Sequence, residues 1–444
     1  MSAQYKNILK YVGFFGSIQG LNLLVGLVRS KIVAILLGPG GMGLLSLFNT
    51  AIQLLNSGTN LGIGISGVKE LSELEDHEEK ERKVAIIRTW SLIAAAIGFV
   101  VTVVAAPLID KFSFSWGQHT LHYIALAPIV SLMAIIGGEA AILKAERKLR
   151  NLAVIQVITM TVSVIISLPV YYFFGQSGIV PVIFLTMLTT TIATIRYSYR
   201  CYPLRLSGIR KHIQEGKPMV RLGLSFVLAG IVGSGVEMYI RSFLNMQGDL
   251  EMVGLYFAGF SIAITYPSAL LNSLENDYFA RLSSVNNDTA AVSRTVNAQV
   301  EVLLMVMFPV LALLMIAMPV VMPLLFSSKF CDVIPMTQVT LVAMFIRSAS
   351  LPVEYISLAR GGAKTFLLIE IISGIITMIS LTVGFLNFGL WGMGAGWVVS
   401  YSLLIVFVLI FFRYRWKYLV SARALAMLVA GIVLLATLYV FIVK

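Results

Sequence analysis

Thirteen apolar stretches, most of them twenty or more residues long and separated by short loops, constrain this chain more than any motif does. They run approximately over 8–37, 42–66, 84–109, 120–142, 151–174, 178–196, 219–246, 252–275, 296–326, 335–358, 364–387, 389–412 and 422–443. A helix needs about 20 apolar residues to cross about 30 Å of hydrocarbon. Inside lipid every backbone amide and carbonyl must be paired within the protein, which favours helices. Only 12% of the residues are charged and 58% are hydrophobic, where soluble domains carry about 25% charged residues. The expected fold is an all-α polytopic membrane protein. The first run follows Lys6 and Lys10 without a small-residue cleavage site, so it reads as a retained span.

Orientation follows from the positive charges, which gather on the cytoplasmic side of membrane proteins. With the N-terminus inside, the inner segments are the N-terminus, 67–88, 143–150, 196–221, 276–295, 359–364 and 413–423. They hold twenty-six of the 33 Lys and Arg residues. The net charge of +12 is thereby assigned to a face that meets anionic lipid, and nucleic acid is not needed to explain it. The expected location is the bacterial cytoplasmic membrane.

No connecting segment is large enough to be a catalytic domain. No P-loop, zinc-protease helix or nucleophile elbow occurs, and GGAKT at 361–365 lacks P-loop spacing. The two cysteines, Cys201 and Cys331, and the four histidines form no metal-ligand pattern. His119 and His122 read as interfacial residues at a helix start. The sequence therefore describes a transporter rather than an enzyme, with no metal and no organic cofactor.

A weak internal repeat divides the chain. Arg29 precedes GMGLLSLFNTAI as Arg241 precedes MVGLYFAGFSIA, so that Gly43 aligns with Gly254 and Leu44 with Leu255. Two sets of six helices would point the same way through the membrane, an arrangement in which transporters bind substrate between halves. The expected domains are a six-helix lobe at 1–197, a basic linker at 198–218, a pseudo-symmetric six-helix lobe at 219–412, and a turn with an extra C-terminal helix at 413–444. That gives twelve core spans plus one.

Charged residues inside the spans are few, and each costs about 2.5 kcal/mol or more unless it meets water or a partner. The cations are Arg29, Lys31, Arg241 and Arg347, with Arg88 at the inner end of its span. A chamber lined by such groups suits a phosphate or pyrophosphate, which Arg grips in bidentate fashion and Lys attracts as a point charge. The plainer alternative has Arg29 and Lys31 reaching toward headgroups and Arg241 pairing with Glu237 four residues earlier. Among the acids, Glu237, Glu354 and Glu139 are the candidates for carrying a coupling ion, H⁺ or Na⁺. Glu354 follows Arg347 by seven residues on about the same helix face. Glu139, Glu301 and Glu370 lie nearer the inner surface, where solvated loops would explain them.

The stretch LVRSKIVAILLGPGGMGLLSLFNTAIQLLNSGTNLGIGISGVKELSE at 27–73 resembles the N-terminal region of Wzx-type polysaccharide flippases of the multidrug/oligosaccharidyl-lipid/polysaccharide (MOP) superfamily. The shared pattern is a cation late in the first span, then LG-x-x-G-x-G-L, then an apolar span with a glycine-rich end. The branch that moves O-antigen or enterobacterial common antigen repeat units is the most similar. The resemblance implies two six-helix lobes around a cationic cavity that carries an undecaprenyl-pyrophosphate-linked oligosaccharide across the membrane. Arg29 and Lys31 would help hold the diphosphate. Other polysaccharide-assembly proteins are expected partners. The thirteenth run departs from the usual twelve spans. Two rival readings are a cation-coupled multidrug exporter of the same superfamily, which would favour an acidic cavity, and an O-antigen polymerase or ligase, which would need a sizeable outer loop.

Overall fold

A computed structural model of the 444-residue chain describes residues 3–114, 119–204, 209–286 and 288–443, with side chains described from residue 25 except at 225–226, 272–277, 280, 363 and 443. The side chains of Lys6 and Lys10, and residues 205–208 of the basic segment, fall outside that description. The described residues are helical almost throughout. The chain divides into two compact units, Met1–Met238 and Tyr239–Lys444.

The first unit contains α1 (Ala3–Thr59), α2 (Ile63–Ser72), α3 (His77–Ser113), α4 (Thr120–Ile124), α5 (Ala127–Ala145), α6 (Leu149–Phe174), α7 (Ile179–Cys201), α8 (Ile209–Glu215) and the start of α9 (Lys217–Gln247). The second holds the end of α9, then α10 (Leu250–Phe260), α11 (Tyr266–Ser284), α12 (Thr289–Leu325), α13 (Ile334–Ala359), α14 (Ala363–Trp416) and α15 (Ala422–Val443). The division lies inside α9, beyond the basic 198–218 segment in which the sequence suggests a linker. The first turns of α9 pack on the first unit through Gly223, where an added Cβ would lie 2.2 Å from the Leu61 carbonyl oxygen.

Among the described residues ten helices are long and apolar enough to cross a membrane. Three of these ten contain a break where the sequence reading ends one span and begins the next. Gly38 interrupts α1 with φ 66° and ψ −174°. A 3₁₀ turn, Gly175–Gly178, separates α6 from α7. Gly389 interrupts α14 with φ 59° and ψ −144°. That backbone region is open to glycine and almost closed to other residues. At Gly389 the chain turns back on itself. Thr377 Oγ1 lies 2.7 Å from Ser400 Oγ, and Gly384 faces Gly392 so closely that a Cβ on Gly392 would sit 1.9 Å from the Gly384 oxygen. The two arms of α14 are thus an antiparallel helical hairpin, glycine on glycine.

Helix starts are marked by the expected chemistry. Asp76, Asp249 and Asp288 accept from the backbone N–H groups of Glu79, Met252 and Ala290 at 3.0, 2.8 and 2.8 Å. Pro128 and Pro335 stand in the first turns of α5 and α13, where a missing N–H is harmless. Between α10 and α11 the helix widens into a π turn, Ser261–Thr265, so the run 252–275 stays continuous through Pro267.

Prolines inside spans free carbonyls that lipid cannot satisfy. Pro319 in α12 lacks the N–H that would bond Met315 O. Gln338 of α13 donates its Nε2 to that oxygen at 3.0 Å, with both residues buried. Gln338→Leu leaves the carbonyl orphaned, and the expected loss is about 1–3 kcal/mol, read as a lower melting temperature of the detergent-purified protein. An unchanged melting temperature would show that the carbonyl finds another donor.

Large apolar side chains face outward along the spans. Val104, Phe112, Leu313 and Val320 are each more than two-thirds exposed. Apolar surface on this scale belongs against lipid. This is a multi-pass membrane protein. Its last helix, α15, is moored at its start by a polar cluster. Asn297 of α12 donates to Leu419 O at 2.8 Å and accepts from Tyr418 Oη at 2.9 Å and from the Ser421 backbone N–H at 3.1 Å. Ser421 Oγ donates to Glu301 at 3.0 Å and accepts from Ala424 N–H at 3.0 Å. Glu301 is therefore tied to the mooring of α15, with Arg423 at 3.4 Å.

Candidate functional site: buried charges and a polar cavity

In the first unit Arg88 and Glu139 form a closed knot. Arg88 is buried on α3 and Glu139 is buried on α5. Arg88 donates from Nε to Glu139 Oε1 at 3.0 Å and from Nη2 to Oε2 at 3.3 Å. Its remaining donors reach Tyr202 O at 2.9 Å and Pro203 O at 3.1 Å, and the guanidinium lies 4.3 Å from the centre of the Tyr199 ring. The pair staples α3, α5 and the end of α7 together. Glu139 is shielded here and not in a solvated loop. Nearby, burial and the bonded Glu146 carboxylate push the Tyr202 phenol above its ordinary range, so it stays a donor to Glu146 Oε1 at 3.0 Å.

Arg29 and Lys31 are half-buried on α1. Arg29 is within electrostatic reach of the buried Tyr171 hydroxyl of α6. Glu237 is exposed. His119 and His122 lie 5.1 Å apart, centre to centre, and Phe48 contacts both rings. Burial and the neighbouring His122 lower the His119 pKa, which keeps that imidazole neutral.

A cavity of about 240 Å³ opens in the same unit where α1 gives way to α2. Asn56, Ser57 and Asn60 supply its polar wall, and Gly62, Gly64, Gly137 and Gly230 let backbone reach the surface. The site exists because of a local turn: Asn60 Oδ1 accepts from the Gly62 N–H at 2.8 Å, and Gly62 is left-handed at φ 66°. Asn56 Oδ1 is buried without a hydrogen-bond partner. Such a wall offers hydrogen bonds without net charge. The glycine-rich end of the second apolar run was legible in the sequence, but Asn56 and Asn60 were passed over, although their i, i+4 spacing in an apolar run was the available signal.

In the second unit two of the proposed cations stand at the ends of one aromatic row. Arg241 is buried, 5.6 Å from the Phe260 ring centre. Phe260 meets Trp397 at 5.8 Å, Trp397 meets Tyr401 at 5.2 Å, and Arg347 stands 5.6 Å from the Tyr401 ring. Cations over aromatic faces are held by the ring quadrupole. Arg347 also forms an ion pair with Glu354 through Nη1 and donates to Ser350 Oγ at 3.2 Å. Glu370 interacts electrostatically with both members of the pair. The structure therefore brings together Arg88 with Glu139, Arg347 with Glu354, and Arg241 with Arg347 through rings. Among the described residues no group of three or more His, Cys, Asp or Glu side chains could hold a metal.

Comparison with known proteins places this geometry. No curated protein matches the sequence. Among solved structures, an inward-facing multidrug resistance MATE family transporter of the MOP superfamily aligns over 89% of this chain and 94% of its own, with a TM-score of 0.72 and 16% identity. The lipid II flippase MurJ in an inward closed conformation aligns over 96% and 92%, with a TM-score of 0.63 and 14% identity. A MOP superfamily transporter from Pyrococcus furiosus, whose binding pocket is described as reversed in polarity, aligns over 90% and 92%, with a TM-score of 0.52 and 14% identity. These likenesses define the fold. Residues 32–335 match the family described as polysaccharide biosynthesis protein, and with more than half its length inside that match the chain belongs to that family.

Proposed function

We propose that the protein is a flippase for a glycan carried on a polyprenyl diphosphate, most naturally an undecaprenyl-pyrophosphate-linked oligosaccharide repeat unit. It would move this substrate from the inner to the outer leaflet of the bacterial cytoplasmic membrane by alternating access, with the N-terminus inside and H⁺ or Na⁺ as the coupling ion. One observation carries the reading: a polysaccharide biosynthesis family member keeps Arg241 and Arg347 within its apolar helices. Arg is the side chain best matched to a phosphate oxygen pair. The neutral amide-lined cavity of the first unit suits sugar hydroxyls. The polyprenyl tail would stay in lipid.

The multidrug exporter remains the second reading, because MATE transporters share the fold. Arg29, Arg241 and Arg347 within the spans argue against a cavity for cationic drugs. Deleting the gene in its native bacterium separates the two. The expected result is lipid-linked repeat units accumulating on the cytoplasmic leaflet and loss of surface glycan. Normal surface glycan in a strain with no second flippase would reject the flippase. Arg29→Ala and Arg347→Ala should each cut the restored glycan at least tenfold while the protein still inserts; full restoration would remove that residue from the path.

A further inference from the structure

Arg347 is occupied, yet its side chain is not fully enclosed. Its Nη1 donates to a Glu354 oxygen and to Ser350 Oγ, while 21% of its side chain stays exposed against 3% for Glu354. The titratable groups facing it are Glu354 on its own helix, Glu370 on the first arm of α14 and Tyr401 on the second. An anionic ligand arriving at the open edge of Arg347 must compete with the carboxylate already there. If the ligand displaced Glu354 as an anion, a buried carboxylate would be left without its cation, which is strongly unfavourable. Protonation removes that penalty, since a neutral carboxyl is far easier to bury.

Resting on the flippase reading above, we propose that Glu354 is a built-in stand-in for the substrate diphosphate, and that its protonation hands Arg347 over to the substrate. One proton adds to the Glu354 carboxylate as the diphosphate takes its place at Nη1. The proton leaves when the diphosphate departs and the ion pair re-forms. Substrate and proton thus bind together. Glu370, within electrostatic reach of both Arg347 and Glu354, faces the exchange from the first arm of α14. The site of that proton is the acid that shares a helix with the substrate's arginine.

Calorimetric titration of the purified full-length protein with inorganic pyrophosphate, between pH 6 and 8, tests this. Two buffers of different ionisation heat give the number of protons taken up. Glu354→Gln should bind pyrophosphate about as tightly at pH 8 as at pH 6 once pyrophosphate's own titration is cancelled. The wild type should weaken toward about tenfold per pH unit relative to that variant. Arg347→Gln should lose binding at least tenfold at both ends. A Glu354→Gln to wild-type affinity ratio that stays flat with pH, or weaker binding by Glu354→Gln, overturns the proposal. Should Glu354→Gln fail to remain monodisperse, infrared difference spectra of the wild type read the same event. Adding pyrophosphate should then produce a protonated-carboxyl band, and its absence overturns the exchange. If no form binds pyrophosphate at any pH, the flippase reading falls too. If pyrophosphate binds without proton exchange, only the present proposal falls.

Discussion

Arg88→Met is expected to lower the stability of the N-terminal unit by several kcal/mol, about 3–5. The side chain is 3% exposed and its donors go to a carboxylate and two backbone carbonyls. Methionine fills about the same length but leaves Glu139 as a buried anion with no counter-charge. Removing one member of a buried ion pair typically costs about 3–5 kcal/mol, to which the orphaned Tyr202 and Pro203 carbonyls add. For a unit of this size that corresponds to about 10 °C in melting temperature. Cys201, half-buried beside Tyr202, is a convenient reporter, since a thiol-reactive dye labels it when the end of α7 comes loose. Arg88→Met with Glu139→Leu should recover much of the loss, because an apolar pair of similar volume often replaces a buried ion pair without penalty. Arg88→Lys keeps the charge and loses the fork, so it should fall between. A melting temperature for Arg88→Met within about 2 °C of wild type would mean that Glu139 simply protonates, and would reduce the knot to a minor contact.

The second large effect belongs to the hairpin in α14. Gly392→Val should separate its two arms. A Cβ at Gly392 would sit 1.9 Å from the Gly384 oxygen and at Gly384 2.2 Å from the Gly392 oxygen, far inside van der Waals contact. Helix propensity pulls the other way by at most about 1 kcal/mol. Overpacking costs about 1–3 kcal/mol even where neighbours can shift, and here the neighbour is backbone, so the clash wins. Gly389→Ala is the informative companion. An added Cβ there meets nothing within 4 Å, but φ is +59°, so its cost is conformational alone, about 1–3 kcal/mol. Cysteines at positions 377 and 400, on the pair now joined by hydroxyls, should cross-link in wild-type background and fail to do so with Gly392→Val. Efficient cross-linking in both would show that the arms absorb the side chain.

What could be read in advance followed from single-helix physics. Apolar length announces a span, and Glu354 seven residues after Arg347 lies on the same face, so that pair was visible from spacing. Arg88 and Glu139 were each noticed as deep charges, but nothing in one sequence links residues 51 apart. Their mutual capture turns two candidate site residues into a structural staple. Glu301 and Ser421 meet across 120 positions for the same reason. The breaks at Gly38 and Gly389 were legible too, because the apolar runs 8–37 and 42–66, and 364–387 and 389–412, part at or beside those glycines. The end of the first unit was hidden because it falls inside one continuous helix, α9, and contacts such as that of Gly223 with the turn at Leu61–Gly62 tie the start of that helix to the first unit. Asn56 and Asn60 were missed because amides draw less attention than charges, although a buried amide oxygen without a partner is a clearer invitation to a ligand.

The glycine seam of α14 has a consequence for how this chain can vary. Lipid tails are as oily as leucine, so they give two spans no reason to cling; closeness of backbone does that work. On the outward side Val104, Leu313 and Val320 could trade places with any greasy neighbour at little penalty, while at 384 and 392 the alphabet shrinks to one letter. Specification of the hairpin is thus concentrated in a few of its smallest residues, and random drift would blur the rest of its sequence long before it blurred its shape.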